Sequence, residues 1–235
     1  MSKEWGITCE GLSVQYDLGG NQANALSDFK GSFIPGKITA VFGPSGSGKT
    51  TLLRVIGTLL RPTKGIISYG GRNPYKLPKK ELLNLRKNIG ISFQHPLFVS
   101  QLTLWENIEL TLNSSDKLDE KHRKLALSLA EQLGIEELLQ KNPSQVSGGE
   151  LRRASIVMAL AKDPGVVILD EPTAYLDEES SMGVVELLRR LKEGGKTVIL
   201  ATHDPELIRI ADVTYNLRYG KLVETSDTFR GLDSL

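Results

Sequence analysis

Apolar residues follow two different periods along this chain. Ile7 to Tyr16, Ala25 to Phe33 and KITAVF at 37–42 carry β-branched and aromatic residues at strand spacing, with a polar Gly19-Gly20-Asn21 turn between the first two. This predicts an antiparallel start. From Gly48 the pattern switches to TTLLRVIGTLL, apolar at helical spacing, so a strand, a glycine loop and a helix are expected in succession. Gly65 to Tyr69 and Ile89 to Phe93 read as a strand pair, and Thr103 to Lys162 as consecutive helices. Asp119 opens one of these helices, with Gly134 as its stop, and Ser147 opens another before GGELRRASIVMALAKDP. Strands and helices then alternate: GVVILD (165–170), 177–195, KTVILAT (196–202) and 204–212, before a last hairpin through Tyr219-Gly220. VVIL and VILA are unbroken apolar runs, the pattern of parallel strands covered on both faces. The expected fold class is α/β, a strand-rich start joined to a mostly parallel core that is interrupted by a helical insertion.

Composition narrows the function classes. With 29 Lys and Arg against 28 Asp and Glu the net charge is +1, too small a field to hold nucleic acid by counterion release. No nucleic-acid partner is expected. The single cysteine, Cys9, excludes an intramolecular disulfide and a cysteine-rich metal site. The longest apolar run, Ile156 to Ala161, has six residues, against the roughly 20 that a spanning helix needs. The first ten residues show no apolar signal segment, and a cytosolic setting is expected. Glycine is enriched, 23 in 235 residues.

The position of those glycines matters. GPSGSGKT at 43–50 matches G-x-x-x-x-G-K-[ST] between an apolar strand and a helix. Gly43, Gly46 and Gly48, with Pro44, Ser45 and Ser47, would shape a nest of backbone N–H groups around a phosphate chain. Lys49 would meet the β- and γ-phosphates, Thr50 would offer its hydroxyl to Mg²⁺, and Thr51 would reach the α-phosphate. VVILDEP (166–172) ends an apolar run in two carboxylates. Asp170 is placed to hold Mg²⁺, on a strand taken to neighbour that of the glycine loop, and Glu171 to polarise an attacking water. Strand alternation would aim the two apart. Taken alone this pair is a weak signal, because many buried strands end in solvated acids. VSGGE (146–150) offers a second anion site: Ser147 is an N-cap, and Gly148 and Gly149 leave N–H groups bare at a helix start. One nucleotide cannot easily use both sites of one domain.

GPSGSGKT, Gln94, VSGGE, VVILDEP, Asp177 and His203, in that order, resemble the nucleotide-binding subunit of an ATP-binding cassette (ABC) transporter, and the resemblance runs from Tyr16 to the final hairpin. It implies a P-loop NTPase (RecA-like) core with an N-terminal antiparallel β subdomain, over 1–95 and 163–235, and a helical subdomain over about 96–162. It implies ATP hydrolysis with Mg²⁺. Tyr16 matches the aromatic that stacks on adenine, and Gln94 the glutamine that touches Mg²⁺ and the attacking water. His203 matches the histidine that contacts the γ-phosphate and orients Glu171. Ser147, Gly148, Gly149, Glu150 and Asp177 match groups that serve a nucleotide bound by an opposite, head-to-tail cassette, in a homodimer or a pseudo-symmetric dimer. An integral membrane permease subunit is implied as partner, with the chain peripheral on the inner face of the cell membrane. The permease groove would lie between the Gln94 region and the helices around Leu97 to Leu112, where Phe98, Val99, Leu102, Leu104 and Trp105 cluster.

Three positions depart from the commonest pattern: VSGGE stands for LSGGQ, Arg152 for a frequent Gln, and Tyr175 for a small or polar residue. Glu150, LRKNIGISFQ (85–94) and LTLWENIEL (102–110) look most like the lipoprotein-releasing and macrolide-exporter branch, which points to export. The chain ends shortly after the last hairpin, without the regulatory barrel typical of sugar importers. A soluble or regulatory cassette acting in complex assembly, of the iron–sulfur scaffold or cell-division type, is the alternative reading.

Overall fold

The computed structural model describes residues 6–19 and 21–227. Gly20 of the expected turn therefore lies outside the described residues, as do the first five and last eight residues. The chain opens with β1 (Ile7–Leu18), β2 (Asn21–Phe33) and β3 (Ile38–Phe42), and α1 (Lys49–Ile56) follows the glycine loop. Next come β4 (Lys64–Tyr69), α2 (Lys79–Lys87), β5 (Ile89–Ser92), α3 (Leu104–Ser114), α4 (Glu120–Gln132) and α5 (Gly148–Leu160). The alternating half follows as β6 (Val166–Asp170), α6 (Glu178–Glu193), β7 (Thr197–Ala201), α7 (Pro205–Arg209), β8 (Val213–Arg218) and β9 (Lys221–Asp227).

Two sheets result. An antiparallel sheet has the order β2-β1-β4, and a second sheet has the order β5-β6-β7-β3-β8-β9, parallel except for β9. Two expectations are corrected. β4 and β5 are not paired: β4 joins β1 in the antiparallel sheet, while β5 is the edge of the parallel sheet beside β6. The separating factor is α2, which lies between them in the chain and lets β5 pack under α5, where Ser92 and Ser155 share a hydrogen bond of 2.7 Å. The strand that ends in Asp170 is also not the neighbour of the glycine-loop strand, because β7 lies between β6 and β3. Helix α1 is shorter than its apolar pattern: Gly57 caps it by donating to Leu53, and Thr58 turns the chain with φ +59°.

The unbroken apolar strands are buried on both faces, as their pattern requires. Ile38, Ala40, Val167, Leu169, Val198 and Leu200 share one core with residues of α3, α4, α5 and α6. Val41, Val166, Ile168, Ile199 and Ala201 share the other with α1 and the antiparallel sheet. The helical insertion thus packs into a core continuous with one face of the parallel sheet. No helix among the described residues is long and apolar enough to cross a membrane.

The two sheets are fastened at Tyr215 of β8. Its hydroxyl donates to the Ser32 carbonyl and accepts from the Ser32 N–H, both at 2.8 Å. Phe29 and Phe33 meet its ring edge-on at 5.5 and 5.7 Å, the arrangement that ring quadrupoles favour. Tyr215→Phe keeps the ring and removes both hydrogen bonds, so it should cost about 1–3 kcal/mol in urea unfolding; an unchanged midpoint would show that the fastening lies elsewhere.

Candidate functional site

The glycine loop is held by close backbone packing. Gly43 has φ +145°, and a side chain there would begin 2.0 Å from the Leu217 carbonyl oxygen of β8. Gly48 has φ +101°, and its Cβ would lie 2.3 Å from the carbonyl oxygen of Ala25 on β2. Any other residue at either position would push the loop off its neighbours. Gly48 is also the N-cap of α1 and supplies no capping side chain, which leaves the first N–H groups of the helix free for an anion. The Lys49 ammonium donates to the Gly43 and Pro44 carbonyls at 2.8 and 3.1 Å, so it stands at the mouth of the loop.

A cavity of about 600 Å³ opens over this loop, lined by residues 43–51, Ala25, Gln94, Asp170, Glu171 and His203. Asp170 is 1% exposed and accepts a 2.6 Å hydrogen bond from the Thr50 hydroxyl. Burial pushes its carboxyl pKa up, and the Thr50 bond works against that rise. Arg152 and Lys49 also work against the rise, and a hard cation would favour the charged form further. Thr50, Asp170 and Gln94 are oxygen donors on one cavity, which fits Mg²⁺, an ion usually held by one or two carboxylates together with substrate phosphates. No cluster of three or more His, Cys, Asp or Glu that could hold a metal occurs among the described residues.

Glu171 does not follow the strand alternation. It leaves β6 in the left-handed region at φ +52°, with its N–H donating to Ala201 at 2.7 Å. The turn brings its side chain onto the same cavity as Asp170. The carboxylate lies 2.8 Å from Nδ1 of His203. The His203 loop is fixed in turn, because Asp204 accepts from the Thr173 hydroxyl at 2.8 Å and its N–H donates to Thr202 Oγ1 at 3.0 Å.

The second helix start lies outside this cavity. Ser147 caps α5 and forms a reciprocal box with Glu150: the Glu150 N–H donates to Ser147 Oγ at 3.3 Å, and Glu150 Oε2 accepts from the Ser147 N–H at 2.6 Å. These bonds pull the Glu150 pKa down. The glutamate of VSGGE is thereby used within its own turn. Asp177 caps α6 through the Ser180 N–H at 2.7 Å, which likewise lowers its pKa. Tyr175, between Glu171 and Asp177, is 74% exposed at φ +67°. Tyr16 pairs with Ala23 across β1 and β2 and packs partly against the core; it is not among the residues lining the cavity.

Two features went unread in the sequence. Arg152 enters the expectations only as a departure in the segment after VSGGE, yet it is 2% exposed and donates to the backbone carbonyls of Phe93 and Asp170. Its helical register with Ile156 and Ala159 was the available signal, since that register sets it on the buried face of α5. The apolar cluster expected to form a groove does not do so as a whole: Leu104 is fully buried, and Phe98 and Trp105 pack on the helical core. A cleft of about 290 Å³ lies between the strand leading to Gln94 and α3, lined by Ile91 and Thr111 together with Leu59, Met158, Arg86 and Lys162 among others.

Comparison with known proteins agrees with this geometry. The family model for ABC transporters matches residues 26–174. The methionine import ATP-binding protein of Ralstonia nicotianae is 36% identical over 221 residues, which are 93% of this chain and 63% of that protein. The macrolide export ATP-binding/permease protein of Hahella chejuensis is 36% identical over 94% of this chain and 34% of its own length. The chain thus spans about two thirds or one third of these relatives. Among solved structures, a dimeric, post-hydrolysis state of an ATP-binding cassette bound to ADP and Pi superimposes with a TM-score of 0.87 at 31% identity, covering 94% of this chain and 98% of that one.

Lys49→Ala removes the one ammonium at the loop mouth and should weaken equilibrium binding of a fluorescent ATP analogue by about ten- to hundredfold, the value of a charge-assisted hydrogen bond; unchanged affinity would remove the loop from phosphate binding.

Proposed function

The chain belongs to the ABC transporter family and is an ATPase cassette of that family, and from this premise we propose that it works as one half of a head-to-tail cassette dimer that drives a separate membrane permease. One observation carries the reading. The cavity over the glycine loop holds the groups needed to bind and cut a phosphate chain, while the Ser147–Gly149 helix start faces elsewhere on the same molecule. A second cassette, identical or pseudo-symmetric, brings that helix start to the open side of the cavity. Asp177 follows from the same opposed surface, and the dimeric relative with ADP and Pi supports the arrangement.

In this reading the phosphates lie on the backbone N–H groups of 43–51, with Lys49 at the β- and γ-phosphates and Thr51 at the α-phosphate. Thr50, Asp170 and Gln94 would hold Mg²⁺, which supplies charge neutralisation on the phosphate oxygens. Tyr16 is kept for the adenine, reached from outside the cavity. Glu171 accepts a hydrogen bond from the attacking water and takes up its proton as the water oxygen adds in line to the γ-phosphorus and the bond to the β–γ bridging oxygen breaks, so that ADP and inorganic phosphate leave. His203, 2.8 Å from that carboxylate, holds it in place and faces the γ-phosphate side of the cavity. Ser147, Gly148 and Gly149 cap the γ-phosphate across the dimer, and Glu150 contributes through the shape of its capping box.

Hydrolysis then removes the group that both cassettes share, and the dimer opens. We assign the permease to the cleft at Leu59, Ile91 and Met158; Leu59 is exposed there, and Arg86 and Lys162 at its lining suit an acidic helix end. Burial pushes the Lys162 pKa down to about 8, and a carboxylate partner would favour its charged form. Such docking places the chain on the inner face of the membrane. We assign export, supported by LRKNIGISFQ and LTLWENIEL; relatives of equal identity act in both directions.

Two outcomes are expected. Glu171→Gln should bind ATP with ordinary affinity, lose turnover and accumulate as an ATP-bound dimer in size-exclusion chromatography; hydrolysis at the normal rate would take Glu171 out of the base role. Ser147→Arg should abolish ATP-driven dimerisation by sedimentation while leaving nucleotide binding by the monomer intact. Loss of monomer binding would place Ser147 on its own chain's nucleotide.

A further inference from the structure

Arg152 is the largest fully buried side chain among the described residues and belongs to none of the assignments above. It projects from α5, five residues after Ser147, into the gap where β5 and β6 end. These two strands pair in register as far as Ser92 and Leu169. At the next residue β5 has ended, and Asp170, the last residue of β6, pairs with Ala201 of β7 and no longer with β5. The guanidinium fills the gap: Nη1 donates to the Phe93 carbonyl and lies 3.5 Å from Ser92 Oγ, and Nη2 donates to the Asp170 carbonyl. Phe93 directly precedes Gln94, and Asp170 directly precedes Glu171. The two arms of one planar group therefore hold the peptide units on which two cavity side chains are mounted.

This placement is costly in isolation. Burial lowers the Arg152 pKa to about 10, with Asp170 and Glu171 opposing that fall. Nε has no partner among the described residues. A glutamine has a single NH₂ group, on a shorter stem, and cannot reproduce a two-arm fork to two carbonyls.

We propose that Arg152 is a positioning residue for the hydrolysis reaction, clamping the ends of β5 and β6 to the VSGGE helix so that Gln94 and Glu171 are set by the position of Ser147. This rests on the ATPase reading above. The nucleotide itself is held by the loop at 43–51, which Arg152 does not touch. Its loss should therefore appear in turnover and not in affinity, since a displacement of about 1 Å at the reacting groups is enough for large rate losses.

The test compares Arg152→Met, Arg152→Gln and Arg152→Lys in the full chain, with kcat, KM, binding of a fluorescent ATP analogue, thermal unfolding and amide hydrogen exchange. Expected are a fall in kcat of about tenfold or more in Arg152→Met, KM and analogue affinity within about twofold, and a cooperative unfolding transition. Arg152→Gln should retain more turnover than Arg152→Met, because it can still reach one carbonyl. Exchange should rise together at 94–97 and 171–174 and stay unchanged in α1. Wild-type kcat in Arg152→Met would overturn the proposal, as would a raised KM at constant kcat. Loss of cooperative unfolding in all three variants would also overturn it and make Arg152 a core-stability residue. If the unaltered chain binds the analogue but hydrolyses no ATP, the ATPase reading fails; the joint rise in exchange still decides whether Arg152 clamps the two strand ends.

Discussion

The structure turns on an almost wholly buried carboxylate at the wall of the cavity. Asp170 ends a strand buried along its whole length, and its charge is tolerable only with partners. One partner is the Thr50 hydroxyl, which draws the first turn of α1 and its glycine loop against β6 although β7 lies between β6 and the loop's own strand, β3. On the other side, Arg152 reaches the backbone of the same residue from α5. The glycine loop proposed to bind phosphate, the strand end that carries Asp170 and Glu171, and the helix that starts at Ser147 therefore converge on one residue. The Mg²⁺ proposed at Asp170 would add to this balance.

The sheet makes that convergence possible. Its central strands are covered on both faces, so they are rigid, and their carboxyl ends all point to one edge. Gly43 and Gly48 set the loop against Leu217 and Ala25, so the antiparallel sheet and the last hairpin act as a backstop for the nucleotide site. Tyr215 keeps that backstop in register. Among the described residues, Ser147, Gly148 and Gly149 do not line the cavity. That spare helix start lies elsewhere, and the proposed dimer brings it to a nucleotide.

Much of this was legible from residue types. The glycine loop, the apolar runs and the alternation after residue 163 report backbone geometry directly, and they lead to the observed strands and helices. Pairing was less legible. Two short apolar segments such as Gly65–Tyr69 and Ile89–Phe93 carry no mark of their partners, and only the intervening helix sends them to different sheets. Glu171 escaped the alternation rule because the rule ends with the strand, and a left-handed turn follows. Arg152 entered only as a departure from a frequent Gln, and its helical register with Ile156 and Ala159 marked it as buried. Glu150, noted as a departure from LSGGQ, is also the capping partner of Ser147. Tyr16, placed by resemblance alone, remains off the cavity lining.

The central claim is that one catalytic site is built from two chains. The most direct measurement mixes two separately inactive proteins, Lys49→Ala and Ser147→Arg, and follows ATP hydrolysis. Half of the composite sites in a mixed dimer would combine an intact loop with an intact VSGGE helix, so activity should return on mixing and be greatest near equal amounts. If the mixture stays as inactive as its components at every ratio, each nucleotide is served by a single chain and the account is wrong.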